Sequence, residues 1–285
     1  MDIVRLVLER AKTSKEAVEI AGALMEAHGQ GGNCEEGGSW CYENGFLFAD
    51  SNEAWVFETA GIHWWAAERV GKGKSRNISN GITIRKPDRM HAGLASHAIA
   101  KGWWKSTPED FDWKVAMLGG SSSAAELEPE GRERAGKEWL AKLSGPGKSF
   151  TWRDMATILR DTDSGICMTG GFESTGSQIS VLHSTVEKPV HFFTTNSNPE
   201  IGCYKPFGFD AGLAIAQTPS RPCIAGFFLL NHDVGTRVFH DFFGGFCSLT
   251  YDTRLGAVEA WATRQKARAM CGRHTRPTSQ RCAVE

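Results

Sequence analysis

Apolar residues recur at helical spacing at the start of the chain, at Ile3, Val4, Leu6, Val7, Leu8 and Ala11, and again at Ala17, Ile20, Ala21 and Leu24. Between the two runs, Thr13-Ser-Lys-Glu16 has the form of a capping box, in which a hydroxyl and a carboxylate satisfy the orphan N–H groups of a helix start. Gly29 ends the second helix, and Gln30-Gly-Gly-Asn33 is a loop whose glycines permit a positive φ or a close backbone approach.

The period then changes from 3.6 to 2. Gly45-Phe-Leu-Phe-Ala49, a turn at Asp50-Ser-Asn-Glu53, a strand over 54–60, a tight turn at Gly61, and strands over 62–70 and 76–84 predict an antiparallel meander. The strand pair carries apolar residues on both faces, so both must be covered, which requires a layered domain. Glu58 stands in the middle of this apolar pattern. From Pro87 the pattern is helical through Lys101 and ends at Gly102-Trp-Trp104, while 119–149, rich in Gly, Ser, Glu and Lys, reads as a solvated insertion with one short helix. Thr151-Trp-Arg-Asp154 caps a helix running to about Asp161, with Trp152, Met155, Ala156 and Leu159 as its buried stripe. A second hairpin spans Gln178 to Leu182 and Val190 to Asn196. Helical pairs around two antiparallel groups of strands predict an α+β fold layered α on β on β on α.

Composition narrows the function classes. With 285 residues, 41% of them hydrophobic, the chain can bury a sizeable core. Its 32 basic and 33 acidic residues give no basic excess for a nucleic acid or an acidic membrane. No window reaches the roughly 20 apolar residues of a membrane span, so no membrane insertion is expected. Asp2, Arg5, Glu9 and Arg10 make the N-terminus an amphipathic helix unlike a signal sequence, so a cytoplasmic location is expected. Eight scattered cysteines are then expected to stay reduced. The aromatic residues of 224–246 follow no clean period and 254–281 is basic, so 224–285 reads as a divergent, disordered tail.

Few residues stand out as chemistry. In a strand over 76–84, Asn80 shares a face with Ile78, Ile82 and Ile84, which carries its amide inward, either as a structural bracket or as a group holding a substrate or nucleophile. Glu58 either pairs with Arg69 or Lys72 across the strands or is a buried carboxylate that orders an active-site amine or amide. His63 and Trp65 alternate onto one face, as pocket wall or as core. Cys34 and Cys41, near His28 and His63, are too widely spaced for a zinc knuckle, and neither a metal nor another cofactor is expected. The chain has no Gly-x-Ser-x-Gly elbow, and Gly119-Gly-Ser-Ser-Ser123 lacks the Lys-Ser/Thr ending of a phosphate loop.

A set of short motifs in fixed order resembles the secernins. They are Met1-Asp-Ile-Val-Arg-Leu6, Glu26-Ala-His-Gly-Gln-Gly-Gly-Asn33, Glu53-Ala-Trp-Val-Phe-Glu-Thr59, Trp65-Ala-Ala-Glu-Arg-Val70 and Ile78-Ser-Asn80. Gly102-Trp-Trp104, Ile158-Leu-Arg-Asp161, Ser164-Gly-Ile-Cys167, Ile179-Ser-Val-Leu182 and Tyr204-Lys-Pro-Phe207 continue the series. The resemblance implies a cysteine dipeptidase family with the N-terminal nucleophile hydrolase fold, an αββα sandwich, and dipeptide or short-peptide substrates. It implies that an N-terminal cysteine attacks the peptide carbonyl with its own α-amine as base. In related hydrolases an asparagine at the position matching Asn80 positions groups or stabilises the oxyanion. Glu58 is then a supporting carboxylate, and Asn33, His63 and Trp65 are the substrate-binding candidates.

The resemblance covers 1–223, read as a partial dipeptidase-like domain. In the family a further segment with the nucleophilic cysteine and the first strands precedes the Met-Asp-Ile-Val-Arg-Leu helix. The expectation is therefore an N-terminally truncated, incomplete sandwich without its nucleophile, self-associating through exposed sheet edges. Two functions follow: a secernin-type dipeptidase, or a noncatalytic binding or scaffold protein linked to regulated exocytosis.

Overall fold

The structure is a computed structural model that describes residues 2–31, 43–120, 127–129, 131–182, 189–194, 198–208 and the backbone of 247–250. Asn33, Cys34, Cys41 and nearly all of the expected tail lie outside the described residues. The fold is α+β, with three antiparallel sheets and helices against them.

Two helices open the chain, α1 (Asp2–Arg10) and α2 (Ser14–His28). Thr13 caps α2 by accepting the N–H of Glu16 at 3.1 Å, and the Glu16 carboxylate returns to the N–H of Lys12. The start of α2 is also tied to the sheet, because Asp50 accepts both the N–H and the hydroxyl of Ser14, at 2.6 and 2.9 Å. Its end is closed by Gly29, whose φ of 71° suits a residue without Cβ.

Strands β1 (Gly45–Ala49), β2 (Ala54–Ala60) and β3 (Trp64–Val70) form the expected meander, with Glu58 opposite Gly45 on one side and Ala66 on the other. All seven residues of β2 are buried, because the sheet is covered on both faces as its two-sided apolar pattern requires. On one face Phe46, Phe48, Trp55, Phe57 and Trp65 pack against Val7, Ala17, Val18, Ala21 and Met25 of α1 and α2. On the other, Ala54, Val56, Ala60 and Val70 meet Ile78, Ile84, Leu94, Ala98, Phe111 and Trp113.

The strand expected over 62–70 begins at Trp64, after a turn over 61–63. The strand expected over 76–84 is cut short. Only Ser75–Ile78 is extended, as β4, and it pairs with β9 (Cys247–Thr250) rather than with β3. The chain bends at Asn80 and Gly81, and beyond the bend the N–H groups of Thr83 and Ile84 both point at the carboxylate of Glu58. Consecutive N–H groups in a strand point to opposite sides, so two aimed at one acceptor cannot belong to a ladder.

The place beside β3 is taken by β5 (Arg89–Met90). The helix expected from Pro87 therefore starts later, as α3 (Leu94–Ala100), because Asp88 and His91 give their N–H groups to β3 carbonyls, at 2.9 and 3.1 Å. A short helix, α4 (Trp113–Met117), docks on the arm after β4 by donating the N–H groups of Trp113 and Lys114 to the carbonyls of Arg85 and Ile84.

The rest of the described chain builds a smaller core. Helix α5 (Gly131–Leu143) lies within the stretch expected to be solvated, and it buries Glu133, Gly136 and Leu140. Helix α6 (Trp152–Leu159) carries the expected capping box, formed by Thr151 and Asp154. Its innermost residues are Met155, Ala156 and Ile158, with Trp152 and Leu159 partly buried at the sides. The hairpin of β6 (Gln178–Val181) and β7 (Val190–Thr194) is present, and β8 (Tyr204–Phe207) extends it to three strands.

Candidate active site

Glu58 is only 4% exposed, on the β2 face turned away from α1 and α2. Neither of the ion pairs expected for it forms; Arg69 pairs with Glu53 instead, at 2.5 Å. One oxygen of Glu58 accepts the N–H and the hydroxyl of Thr83, at 2.8 and 2.5 Å, and the other accepts the Trp113 indole N–H at 2.9 Å and the Ile84 N–H at 3.3 Å. Burial pushes the carboxyl above its ordinary range, against the pull of these hydrogen bonds and of the Arg76 charge.

The hydroxyl of Thr83 passes the contact outward. It also accepts from Arg76 Nη2 at 2.8 Å, and Arg76 forks onto Glu68, at 3.3 and 3.0 Å. A continuous polar chain, Glu68–Arg76–Thr83–Glu58–Trp113, thus crosses an otherwise apolar interface and ties β2, β3, β4 and α4 together. Its physical effect is to fix the arm over 79–85 by its backbone.

That arm carries Asn80, which is exposed rather than turned inward with Ile82 and Ile84. The buried amide nearby is Asn77, 1% exposed, whose Nδ2 donates to the carbonyl of Glu133 at 3.1 Å. Sequence periodicity missed Asn77 because it gave the strand one inward face, whereas β4 is covered on both, by the sheet core at Ile78 and by α5 at Asn77. Asn80 Oδ1 accepts from Arg132 Nη2, at the start of α5. A guanidinium only donates, so this contact turns the amide oxygen toward Arg132. Asn80 Nδ2, a double donor, faces away from that partner, and among the described residues nothing accepts from it.

His63 and Trp65 both reach the end of α2. His63 is exposed in the turn before β3, with Nδ1 3.0 Å from the Met25 carbonyl. The Trp65 indole donates to Glu26 at 2.9 Å, and its ring stacks on Phe57, with centroids 5.3 Å apart. The arrangement brings together Glu58, Thr83, Asn80 and Arg132, and leaves His63 and Trp65 on the opposite face of the sheet. Arg132 lies in a run of alternating charges with no motif of its own, so the sequence held no signal for it.

Among the described residues no group of three or more His, Cys, Asp or Glu could hold a metal ion, and no helix is long and apolar enough to cross a membrane. Chemically, the site offers an outward amide donor, a guanidinium beside it and a buried carboxylate that holds their support.

Two dipeptidases are among the curated relatives that align with this chain. A protein named Dipeptidase from Bifidobacterium longum (strain NCC 2705) is 43% identical over 70 residues, and one named Probable dipeptidase B from Lactococcus lactis subsp. lactis (strain IL1403) is 41% identical over 70 residues. Each alignment covers 24% of this chain, and 11% and 12% of the respective relative. Residues 1–104, which hold α1, α2, the four-stranded sheet, Glu58 and Asn80, match Peptidase family C69.

Proposed function

We propose that the chain is a secernin-like member of a cysteine dipeptidase family, in which the arm over 79–85 faces the scissile bond of a dipeptide. The supporting observation is the amide of Asn80: its oxygen is held by Arg132, which leaves the Nδ2 donors turned outward on an arm fixed by Glu58. A donor held in advance where negative charge develops is what a tetrahedral intermediate needs. Asn80 is the oxyanion donor or holds the nucleophile's amine, and Glu58 is a positioning residue that acts through Thr83. The surrounding fold is an N-terminal nucleophile hydrolase sandwich, and the protein works in the cytoplasm.

The nucleophile in this reading is a cysteine thiolate with its own α-amine as base. Cys167 does not fit that part, because it is buried and burial pushes its thiol up. The same observation supports a second reading, a noncatalytic peptide-binding or scaffold protein linked to regulated exocytosis.

The test is hydrolysis of alanyl-alanine by the purified gene product carrying the N-terminal cysteine that this reading requires, before and after thiol alkylation and in Asn80→Ala. The expected result is turnover that alkylation abolishes and that Asn80→Ala lowers about 100- to 1000-fold. Turnover that survives alkylation overturns the cysteine mechanism, and peptide binding without any turnover favours the noncatalytic reading.

A further inference from the structure

Arg132 is a half-buried cation that no carboxylate among the described residues pairs with. Among the described residues its guanidinium has two partners, the neutral amide oxygen of Asn80 at 2.5 Å and the thioether of Met168, 3.3 Å from Nη1. Thioether sulfur is a weak acceptor. Among the described residues no carboxylate forms an ion pair with Arg132. The adjacent Glu133 is committed to Lys137, at 2.8 Å. Burial pulls the Arg132 guanidinium below its ordinary value.

A guanidinium partly removed from water costs free energy unless an anion or strong acceptors compensate it. Arg132 presents a planar fork of five donors, of which described residues take two, and that fork matches the two oxygens of a carboxylate. It stands one hydrogen bond from the amide proposed to meet the scissile carbonyl. In a dipeptide, the C-terminal carboxylate is one residue from that carbonyl.

We infer that Arg132 is the specificity residue for the free C-terminal carboxylate of a dipeptide, held in place by Asn80 and Met168. The inference rests on the dipeptidase reading above and adds to it the basis for choosing dipeptides over longer chains. Once the carboxylate is bound, the charge on Arg132 is balanced, and Asn80 is locked with its oxygen toward Arg132 and its donors toward the carbonyl. A longer peptide offers a neutral amide at the same place and gains none of this.

The experiment is calorimetric titration of the full chain with alanyl-alanine and with alanyl-alaninamide, which differ in the carboxylate alone. Binding reads the carboxylate contact whether or not turnover occurs. The free acid is expected to bind about 10- to 100-fold more tightly than the amide, the worth of a hydrogen bond to a charged group. Arg132→Met removes the charge and keeps the stem, and Asn80→Asp supplies an internal carboxylate that competes for the fork. Both are expected to erase the preference, and Arg132→Lys to keep part of it. Should Arg132→Met fail to fold, the other two variants decide in the same titration. Equal binding of acid and amide by the wild type, or a preference that survives Arg132→Met, overturns the inference and leaves the dipeptidase reading standing. A chain that binds neither compound overturns both.

Discussion

Thr83 is joined to Glu58 twice, by its N–H at 2.8 Å and its hydroxyl at 2.5 Å, on a single carboxylate oxygen. Residues 25 apart in sequence thereby hold the arm that presents Asn80. Glu58→Gln replaces one acceptor oxygen by a donor, which must then face Thr83 or Trp113 N–H groups that also donate. A loss of about 1–3 kcal/mol is expected from urea unfolding, with faster amide exchange at Thr83 and Ile84. Unchanged stability together with unchanged exchange would show that the carboxylate does not hold the arm.

Asp50 sets an acid limb of the stability curve. Burial raises its carboxyl, but hydrogen bonds from the Ser14 N–H and hydroxyl and from the N–H groups of Asn52 and Glu53 outweigh burial and hold it below the ordinary value. A folded value below the unfolded one means the contribution is present above about pH 3.9, the ordinary aspartate value, and is lost as pH falls through the folded value. Asp50→Asn should therefore flatten the loss of stability below about pH 4, measured by urea midpoints across that range. Parallel acid limbs in the two proteins would contradict this.

Gly22 lies in mid-helix, where alanine would ordinarily gain about 1 kcal/mol. Here an added Cβ would stand 2.7 and 2.8 Å from ring atoms of Trp65, which is pinned by Glu26 and stacked on Phe57. Overpacking of this kind costs about 1–3 kcal/mol, so Gly22→Ala should lower the melting temperature. A raised melting temperature would mean that the indole yields.

Tyr204 should ionise late. Burial pushes its phenol up to about 12, against the hydrogen bond with Ser177 and the charge of Arg160. A folded value above the unfolded one means the contribution is present below about pH 10, the ordinary tyrosine value, and is lost as pH rises through the folded one. In tyrosinate absorbance, the difference between wild type and Tyr204→Phe should rise at about pH 12. A step near pH 10 would refute the burial argument.

How much of this was legible in the sequence depends on how far apart the partners lie. Thr13 and Glu16, Thr151 and Asp154, and the alternation in β1 to β3 are local, and these elements formed as their patterns predict, apart from the start of β3 at Trp64. The 76–84 strand failed because Ile78 and Ile84 enter one core from opposite sides of a bend, which imitates a period of two. Beyond that bend the arm is held by Glu58, whose partners Thr83 and Trp113 lie 25 and 55 residues away. Glu58 could be identified as a buried carboxylate needing partners, but no spacing rule names them. Arg132 meets Asn80 across 52 residues, and nothing in its own neighbourhood distinguishes it from its charged neighbours.

The pairing of β4 with β9 sets the order in which this molecule can be completed. Residues 75–78 find their ladder partner only at 247–250, so no hairpin close in sequence can nucleate it. Long-range closure of this kind is slow compared with helix or hairpin formation, and a chain emerging from the ribosome must pass residue 250 before β4 is capped. The α1–α2 face and the β1–β3 meander are local and can be ordered well before then. The arm bearing Asn80 thus has a permanent anchor on its Glu58 side and a late one on its β4 side, which makes it the last part of the site to mature.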